Sequence, residues 1–397
     1  MAPLPATRVP EPGTQRQRGR ATRRRAVISA AAVIAIAAAA TAYLTLSGKP
    51  AGKAKSVATS GTQVGTVTSS SHYELFYAAF SRDGATIAAF GGREGSTSTA
   101  RIYLWTAAGR KLAGILTDEN GAGLGGWPGG LAFTANGKTL IAGDYDGSIH
   151  LWDVGTHHAS LVGDPDNSGS LSTSILDSDY SPGGNLVAEG NNLSNIHLLQ
   201  LADRHWMGTF KDPTAINEYN HPGQSGRRYY INQVIVDQAG STLAVSDSSG
   251  HVYVWSTSGG APLVSTTGLA PAGNAASQGM AFAPDGTTLA VATAGKRGTR
   301  LWDLATRQVT ATLTGPDTQP EVETFTPDGG TLAVADANGT IYLWDVAARR
   351  IAGTIRTEIT GTDWGGLEFS PDGKTLAVFA SGGAEVTLYK ISYTEPA

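Results

Sequence analysis

Few residues that could do chemistry fall at spacings that a known reaction requires. His157 and His158 are adjacent, and neighbouring side chains on an extended strand point to opposite sides, so they do not predict a shared metal ion. The chain has no cysteine, which excludes thiol catalysis, disulfides and thiolate metal sites. Gly-x-Ser-x-Gly, Walker, His-Glu-x-x-His and EF-hand patterns are also missing. The sequence therefore predicts no catalytic residue, no metal site and no cofactor.

Aspartates occur at one equivalent place in several segments of the chain. Asp144, Asp247 and Asp336 each follow a short apolar run. Such acids could form a ring that binds a ligand. Alternatively, each carboxylate accepts hydrogen bonds from backbone N–H groups of its own turn. We favour the turn interpretation, because it needs no partner.

Aromatic and arginine side chains cluster in residues 211–230, which read KDPTAINEYNHPGQSGRRYY. Such side chains are typical anchors of binding sites. Two further tryptophans stand in Gly-rich settings outside this segment. The candidate partner-binding residues are Trp127, Tyr219, His221, Arg227, Arg228, Tyr229, Tyr230 and Trp364. The alternative is an ordinary surface loop whose tyrosines pack on the protein and whose arginines pair with Asp212 and Glu218.

The elements that must position these residues form a repeat with a period of 43 to 56 residues. Each copy has a turn glycine, then a close match to Thr-Leu-Ala-Val, then an apolar run that in most copies ends in an aromatic residue. The glycines are Gly84, Gly137, Gly184, Gly240, Gly286, Gly329 and Gly373. The tryptophans that end the second run are Trp105, Trp152, Trp255, Trp302 and Trp344. This period, with hairpin turns at glycine, predicts a propeller or similar array of four-stranded sheets.

Burial explains why such sheets form a ring. One four-stranded sheet cannot bury both of its faces, whereas twisted sheets packed around an axis cover one another. The last copy contains only three strands, so we predict that residues 61–67 supply its fourth strand and close the ring. The predicted fold class is all-β: a seven-bladed β-propeller of four-stranded antiparallel blades, preceded by one N-terminal hydrophobic helix.

The order Pro-Asp-Gly, Leu-Ala-Val and Leu-Trp-Asp resembles the WD-repeat β-propeller family over about residues 62–392. The family's Gly-His dipeptide before the first strand is missing from every copy, so the resemblance is to a divergent bacterial type held mainly by packing. In this family, the loops before the first strand and between the second and third strands share a face that commonly binds partners. The resemblance implies that this face holds residues 117–130, 164–174, 211–230, 268–277 and 357–366, together with an insertion at 91–100.

The N-terminal part differs from the rest in charge and hydropathy. Residues 1–55 have a net charge of +9 and the remainder −13, which gives the overall −4. Residues 1–25 predict a disordered basic arm. Residues 26–46 are uncharged, and as a helix they would span about 30 Å, the thickness of a bilayer core. Residues 47–60 predict a flexible linker, and residues 61–397 the propeller.

The apolar segment is either a single membrane anchor or a signal peptide cleaved near Ala42. In both cases the Arg-rich end stays in the cytoplasm and the acidic body lies outside. We favour a single-pass anchor in a bacterial cell membrane, with a secreted protein as the alternative. The acidic body is a poor surface for nucleic acid.

The leading hypothesis for function is a non-enzymatic, monomeric propeller that acts as a scaffold or ligand-binding module for a protein or glycan partner. One alternative is a propeller enzyme of the metal-dependent hydrolase or lactonase type. Glu321, Glu323, Asp363 and Asn232 are the candidates to hold its cation. Another alternative is an extracellular sensor that reports through the cytoplasmic arm.

Overall fold

Seven short β-sheets surround a central axis. The computed structural model describes residues 55–69, 73–93, 96–117, 128–144, 148–163, 165, 175–181, 183, 185–213, 231–266, 279–293, 298–315, 319–361 and 364–394. These residues form 28 strands in seven four-stranded antiparallel sheets. The first strand of each sheet contacts the first strands of both neighbouring sheets, and the series returns from the seventh sheet to the first. The ring is closed, which confirms the predicted seven-bladed β-propeller.

Each sheet is one blade, with strands A to D from the axis outward. Blades 1 and 2 are β2 (Tyr73–Phe80), β3 (Thr86–Arg93), β4 (Ser96–Thr106), β5 (Lys111–Leu116), then β6 (Pro128–Phe133), β7 (Thr139–Asp144), β8 (Ser148–Asp153), β9 (Ala159–Gly163). Blades 3 and 4 are β10 (Ile175–Ser181), β11 (Leu186–Asn191), β12 (Asn195–Gln200), β13 (His205–Lys211), then β14 (Ile231–Val236), β15 (Thr242–Asp247), β16 (Val252–Ser256), β17 (Val264–Thr266). Blades 5 and 6 are β18 (Met280–Phe282), β19 (Thr288–Ala292), β20 (Thr299–Asp303), β21 (Gln308–Leu313), then β22 (Pro320–Phe325), β23 (Thr331–Asp336), β24 (Thr340–Asp345), β25 (Arg350–Arg356). Blade 7 is β26 (Trp364–Phe369), β27 (Thr375–Ala380), β28 (Glu385–Thr394) and, as strand D, β1 (Val57–Thr68).

Blade 7 joins the two ends of the described chain. β1 pairs antiparallel with β28 in ten residue pairs and takes the outermost place of the sheet. The prediction that residues 61–67 supply the fourth strand is confirmed. The strand begins at Val57, which lies within the predicted linker 47–60, and the compact unit begins at Lys55. The ring is therefore closed by hydrogen bonds between segments more than 300 residues apart in sequence.

The turns between strands A and B explain the recurring glycines. The six turn glycines that the structure describes have φ between 67° and 73°, a left-handed conformation that glycine adopts without steric cost. A hydroxyl before the turn links its two sides: Thr326 Oγ1 donates to Asp328 Oδ1 (2.7 Å) and accepts from Thr331 N (3.0 Å). Residues Ser81, Thr134 and Ser370 make the same two contacts in their own turns.

The hydrophobic core lies between adjacent blades. The central alanine of the Thr-Leu-Ala-Val run is at most 1% exposed in six blades; these residues are Ala88, Ala188, Ala244, Ala290, Ala333 and Ala377. Four of the five tryptophans on the C strands are buried, and Trp302 is partly buried. Trp152 Nε1 also donates to the Thr117 carbonyl of the preceding blade (3.3 Å). The tryptophans are therefore packing residues between blades, as the sequence predicts.

The N-terminal segments cannot be placed on this ring. The predicted basic arm, the apolar segment 26–46 and linker residues 47–54 lie outside the described residues. Within the described ranges, the structure contains no helix with the length and apolar character needed to cross a bilayer.

Candidate functional site

The two ends of the ring differ in their connections. Because neighbouring strands are antiparallel, the A–B and C–D turns lie at one end, which we call the turn face. The B–C and D–A connections lie at the other end, which we call the loop face. The turn face has short turns, whereas the loop face holds the longer connections, including the one between β13 and β14.

Most of the predicted partner-binding residues belong to loop-face connections outside the described residues. These are Trp127, Tyr219, His221, Arg227, Arg228, Tyr229 and Tyr230. The strands that flank residues 211–230 end at Lys211 and resume at Ile231, at the loop face between blades 3 and 4. A binding role for these seven residues stays a prediction.

Trp364 is the predicted site residue that the structure describes. It is the first residue of β26, its side chain is 7% exposed, and it belongs to the core cluster between blades 6 and 7. Its Nε1 donates to the Asp336 carbonyl (3.1 Å). These contacts give Trp364 a packing role, and a partner contact for it stays a prediction.

Residues 91–100 lie where the insertion was predicted, at the connection between strands B and C of blade 1. β3 continues to Arg93 and β4 begins at Ser96, with Arg93 paired to Ser96 across a tight connection. The inserted residues therefore lengthen the β3–β4 hairpin at the loop face. The Ser-Thr-Ser-Thr sequence suits an extended strand when a neighbouring strand is available to pair with it.

The aspartates that end strand B are turn residues. Asp247 Oδ1 accepts hydrogen bonds from Ser249 N and His251 N, both at 2.9 Å. Asp336 Oδ1 accepts one from Asn338 N of its own turn at 3.1 Å, and its Oδ2 accepts another from Gln319 N at 2.6 Å. The turn interpretation is confirmed for these two aspartates, whereas the side chain of Asp144 lies outside the described part.

A cavity of about 450 Å³ lies on the axis, lined by strand A of six blades. A second cavity of about 690 Å³ adjoins it, and Arg82, Asp179 and Glu323 line both. We call the two together the central cavity. Its lining also includes Asp177 and Glu368, so four acidic residues contribute to the walls of this space. Arg82 adds a positive charge to the lining of the central cavity.

Three of these carboxyl groups connect neighbouring blades. Strand A has a partner strand on one side only, so some of its N–H groups point away from their own sheet. A carboxylate of the preceding blade accepts from such an N–H group in three places. The pairs are Asp177 with Val234 N (2.6 Å), Asp179 with Val236 N (2.7 Å) and Glu368 with Phe80 N (3.1 Å).

Burial raises the pKa of all four cavity carboxyls, because a buried charge is poorly solvated. The pKa of Asp179 rises to about 6 and that of Glu368 to about 8. The pKa values of Asp177 and Glu323 lie well above their ordinary values. The nearby charge of Asp179 raises the pKa of Asp177 and Glu368 further. The cavity thus disfavours the charged form of each of these carboxyls.

Glu323 is bonded on one side only. Its Oε1 accepts a hydrogen bond from Thr299 Oγ1 (3.1 Å). Among the described residues, none donates to Oε2, although the side chain is only 5% exposed. This oxygen is therefore a buried acceptor without a donor in the part of the chain that the structure describes.

The structure describes three of the four residues predicted as cation ligands for the enzyme alternative: Glu321, Glu323 and Asn232. Glu323 lines the central cavity, while Glu321 is buried beside Asp336, and burial followed by that neighbouring charge raises its pKa to about 7. Asn232 is on β14, and Asp363 lies outside the described residues. Within the described ranges, no group of three or more His, Cys, Asp or Glu residues is placed to hold a metal ion.

Comparison with protein families agrees with the geometry. The family model described as WD domain, G-beta repeat matches residues 126–153 and 307–345. The chain is a WD-repeat β-propeller. The second match starts near strand D of blade 5 and ends in strand C of blade 6, so the sequence repeat is offset by one strand from the blade. This offset is what allows the N-terminal strand to complete blade 7. No curated protein matches the chain.

Three acids of the WD-repeat propeller's central cavity were not among the predicted site residues: Asp177, Asp179 and Glu368. The sequence does distinguish two of them, Asp179 and Glu368, once the seven copies are aligned on their A–B turns. The residue five positions before the turn glycine is Ala79, Ala132, Asp179, Ile235, Ala281, Thr324 or Glu368 in blades 1 to 7. Acids at a position otherwise held by small or uncharged residues would have marked blades 3 and 7.

Proposed function

We propose that this WD-repeat propeller is held at the outer surface of a bacterial cell membrane by residues 26–46. There it presents its loop face to a protein or glycan partner and acts as a monomeric scaffold without catalysis. The family supports the scaffold part of the proposal, because WD-repeat propellers typically serve protein interaction.

The main support for this arrangement is the place where the chain enters the propeller. β1 starts at the turn face, beside the end of β28. Ser56 N donates to Asp328 Oδ2 (2.9 Å), and Lys55 Nζ lies 3.6 Å from Asp285 Oδ2. Both aspartates belong to A–B turns. A tether that precedes Lys55 therefore joins the turn face and leaves the opposite loop face open to partners.

Basic side chains on the turn face also support this orientation. Five C–D turns contain an exposed basic residue with positive φ: Arg110, His157, Arg204, Arg307 and Arg349. Basic groups on one surface are attracted to anionic lipid headgroups. A propeller tethered at this face would direct these residues towards the membrane.

Cysteine labelling tests the topology without background, because the chain has no cysteine. Thr14→Cys marks the N-terminal arm, and Leu161→Cys marks the outer strand of blade 2, where Leu161 is 60% exposed. In intact cells, a membrane-impermeant maleimide should label L161C and should label T14C only after lysis. Labelling of T14C in intact cells, or release of a shortened chain into the medium, would overturn the anchor.

Site-specific photo-crosslinking tests the loop face. A photoreactive residue at Tyr230 should give a discrete product with a protein or glycan of the cell envelope, and the same residue at Arg307 on the turn face should not. The double variant Tyr229→Ala, Tyr230→Ala should weaken partner capture by a probe at Trp127 without changing the melting temperature. Equal products from both faces, or none from the loop face, would contradict the proposal.

A further inference from the structure

The outermost strand of blade 2 lacks the usual protections of a sheet edge. Such an edge offers unpaired N–H and C=O groups, and proteins typically block it with a bulge, a charge or a proline. Among the strands that the structure describes, the outermost ones of five blades pair through a bulge, whereas β9 and β17 do not. β17 has three residues. β9 (Ala159–Gly163) has five, ASLVG, with no charge and no proline.

The free edge of β9 directs backbone groups away from its sheet. Asp153 N donates to the His158 carbonyl (2.9 Å), so these residues form a hydrogen-bonded position of the β8–β9 hairpin. Bonded and non-bonded positions alternate along an antiparallel ladder, and the N–H and C=O groups of Leu161 and Gly163 therefore point outward. None of the described residues bonds to these outward groups. A Cβ at Gly163 would meet no described atom within 4 Å, so the edge is open to a further strand.

Different surfaces flank the two sides of this edge. Ala159 packs in the core between blades 1 and 2, and Leu161, two residues on, shares that side and is 60% exposed. Ser160 is on the opposite side, where a cleft of about 680 Å³ lies between blades 2 and 3. Arg204 of blade 3 belongs to the lining of this cleft, is exposed, and has no ion-pair partner among the described residues. A strand added here would meet an apolar side chain on one side and a positive charge on the other.

A second copy of this chain fits the edge poorly. A two-fold symmetric pair of β9 strands is antiparallel. Because β9 runs from the turn face to the loop face, the two copies in such a dimer have their turn faces at opposite ends. This conflicts with the tether proposed above, which attaches every copy to the membrane by its turn face. A segment of another protein has no such constraint, and an acidic residue in it would complement the charge of Arg204.

We propose that β9 binds an extended segment of a partner protein as a fifth, antiparallel strand of blade 2. The partner residue opposite Leu161 is apolar, lies against that side chain and exchanges two backbone hydrogen bonds with Leu161. The next partner residue, opposite Ser160, is acidic and lies on the side of Arg204. Backbone bonds thus hold the segment, and these two side chains select it. The site is separate from the loop-face connections and adds to the scaffold function proposed above.

Fluorescence polarisation with the full chain in detergent tests the proposal. The probe is the peptide Val-Thr-Val-Glu-Val, with a fluorophore at its N-terminus and an amide at its C-terminus; its central valine is the residue placed opposite Leu161. N-methylation of that valine removes the N–H that bonds to the Leu161 carbonyl and should weaken binding by at least about tenfold. N-methylation of the threonine, whose N–H points away from β9, is the matched control and should change the affinity by less than about threefold.

Variants of the protein test the two side-chain contacts. Leu161→Glu should weaken probe binding by at least about tenfold, whereas Leu112→Glu, at a leucine of β5 that is 53% exposed, should leave it unchanged. Both leucines are exposed, so neither change should alter the melting temperature. Arg204→Gln should weaken binding about threefold for the glutamate peptide and not for its glutamine counterpart. Arg307→Gln, at the same place in the C–D turn of blade 5, should have no effect.

Each other outcome counts against the proposal. Equal effects of the two N-methyl groups, unchanged affinity in L161E, or no binding of the probe at millimolar concentration would overturn it. Unchanged affinity in R204Q would overturn the assigned acidic residue. A dimer of the full chain that sedimentation detects without peptide, and that L161E dissociates, would assign the edge to a second copy. If L161E does not fold, the two N-methylated peptides test the proposal on the unchanged protein. These measurements involve no loop-face residue, so their failure is distinct from failure of the proposed scaffold function.

Discussion

Glu368→Gln should make the propeller more stable at neutral and alkaline pH. In the folded protein, burial raises the pKa of Glu368 from 4.5 to about 8. Below about pH 4.5 the carboxyl is protonated in both the folded and the unfolded chain. As the pH rises above that value, the unfolded chain loses the proton while the folded chain keeps it. Stability is therefore lost progressively between about pH 4.5 and about pH 8, and the glutamine variant lacks this loss.

The expected gain in stability of E368Q follows from the size of the pKa shift of Glu368. One pKa unit corresponds to about 1.4 kcal/mol, so the full shift sets an upper limit of about 5 kcal/mol. The side chain is only partly buried by the cavity wall, and solvent reduces the effect. We expect E368Q to gain about 2 kcal/mol near pH 8 and nothing near pH 4. The glutamine oxygen retains the bond from Phe80 N, so the connection between blades 7 and 1 is kept.

Thermal unfolding monitored by tryptophan fluorescence, at several pH values between about 4 and 9, measures this difference. For a domain of this size, about 2 kcal/mol corresponds to a rise of about 3–5 °C in Tm near pH 8. Glu385→Gln is the control, because it removes an equal charge from an exposed position. Equal Tm values for wild type and E368Q across the whole range would refute the reasoning, as would a gain that is largest at low pH.

Three further changes test the closure and packing of the ring by thermal unfolding. Gly353→Ala would place a Cβ against the Thr59 backbone oxygen of β1 and should lower Tm by several degrees. Gly208→Ala, at the equivalent position of blade 3, meets open space and should leave Tm unchanged. Deleting residues 55–68 removes strand D of blade 7 and should lower Tm more than either glycine change; an unchanged Tm would contradict the observed closure. Trp152→Phe should lower the free energy of unfolding by about 1 kcal/mol more than Trp302→Phe does. The reason is that Trp152 Nε1 has an acceptor and, among the described residues, Trp302 Nε1 has none.

The sequence predicts the architecture well because its determinants are local and repeated. A turn glycine, a small buried alanine and a C-strand aromatic residue recur in most blades, and a three-stranded last copy implies closure by the chain's other end. The cavity acids were harder to recognise, since their partners lie on the next blade and not in their own repeat. The insertion at residues 91–100 could be assigned to the loop face from its place between strands B and C, and the structure has it there as an extension of the β3–β4 hairpin. The predicted aromatic cluster in 211–230 lies outside the described residues, so the structure neither supports nor opposes it.

The acidic residues of the central cavity lower the stability of the folded propeller at neutral pH. Each carboxyl with a raised pKa makes folding less favourable at neutral pH than an uncharged side chain of similar shape would. Most blades have a small or uncharged residue at the position of Asp179 and Glu368, so the fold does not require acids there. Groups that reduce stability and cluster in one cavity are typical of functional sites. If E368Q and D179N both stabilise the propeller at neutral pH, burying these acids costs more stability than their bonds between blades return. If neither does, the bonds to Phe80 N and Val236 N outweigh the cost of burying the two charges.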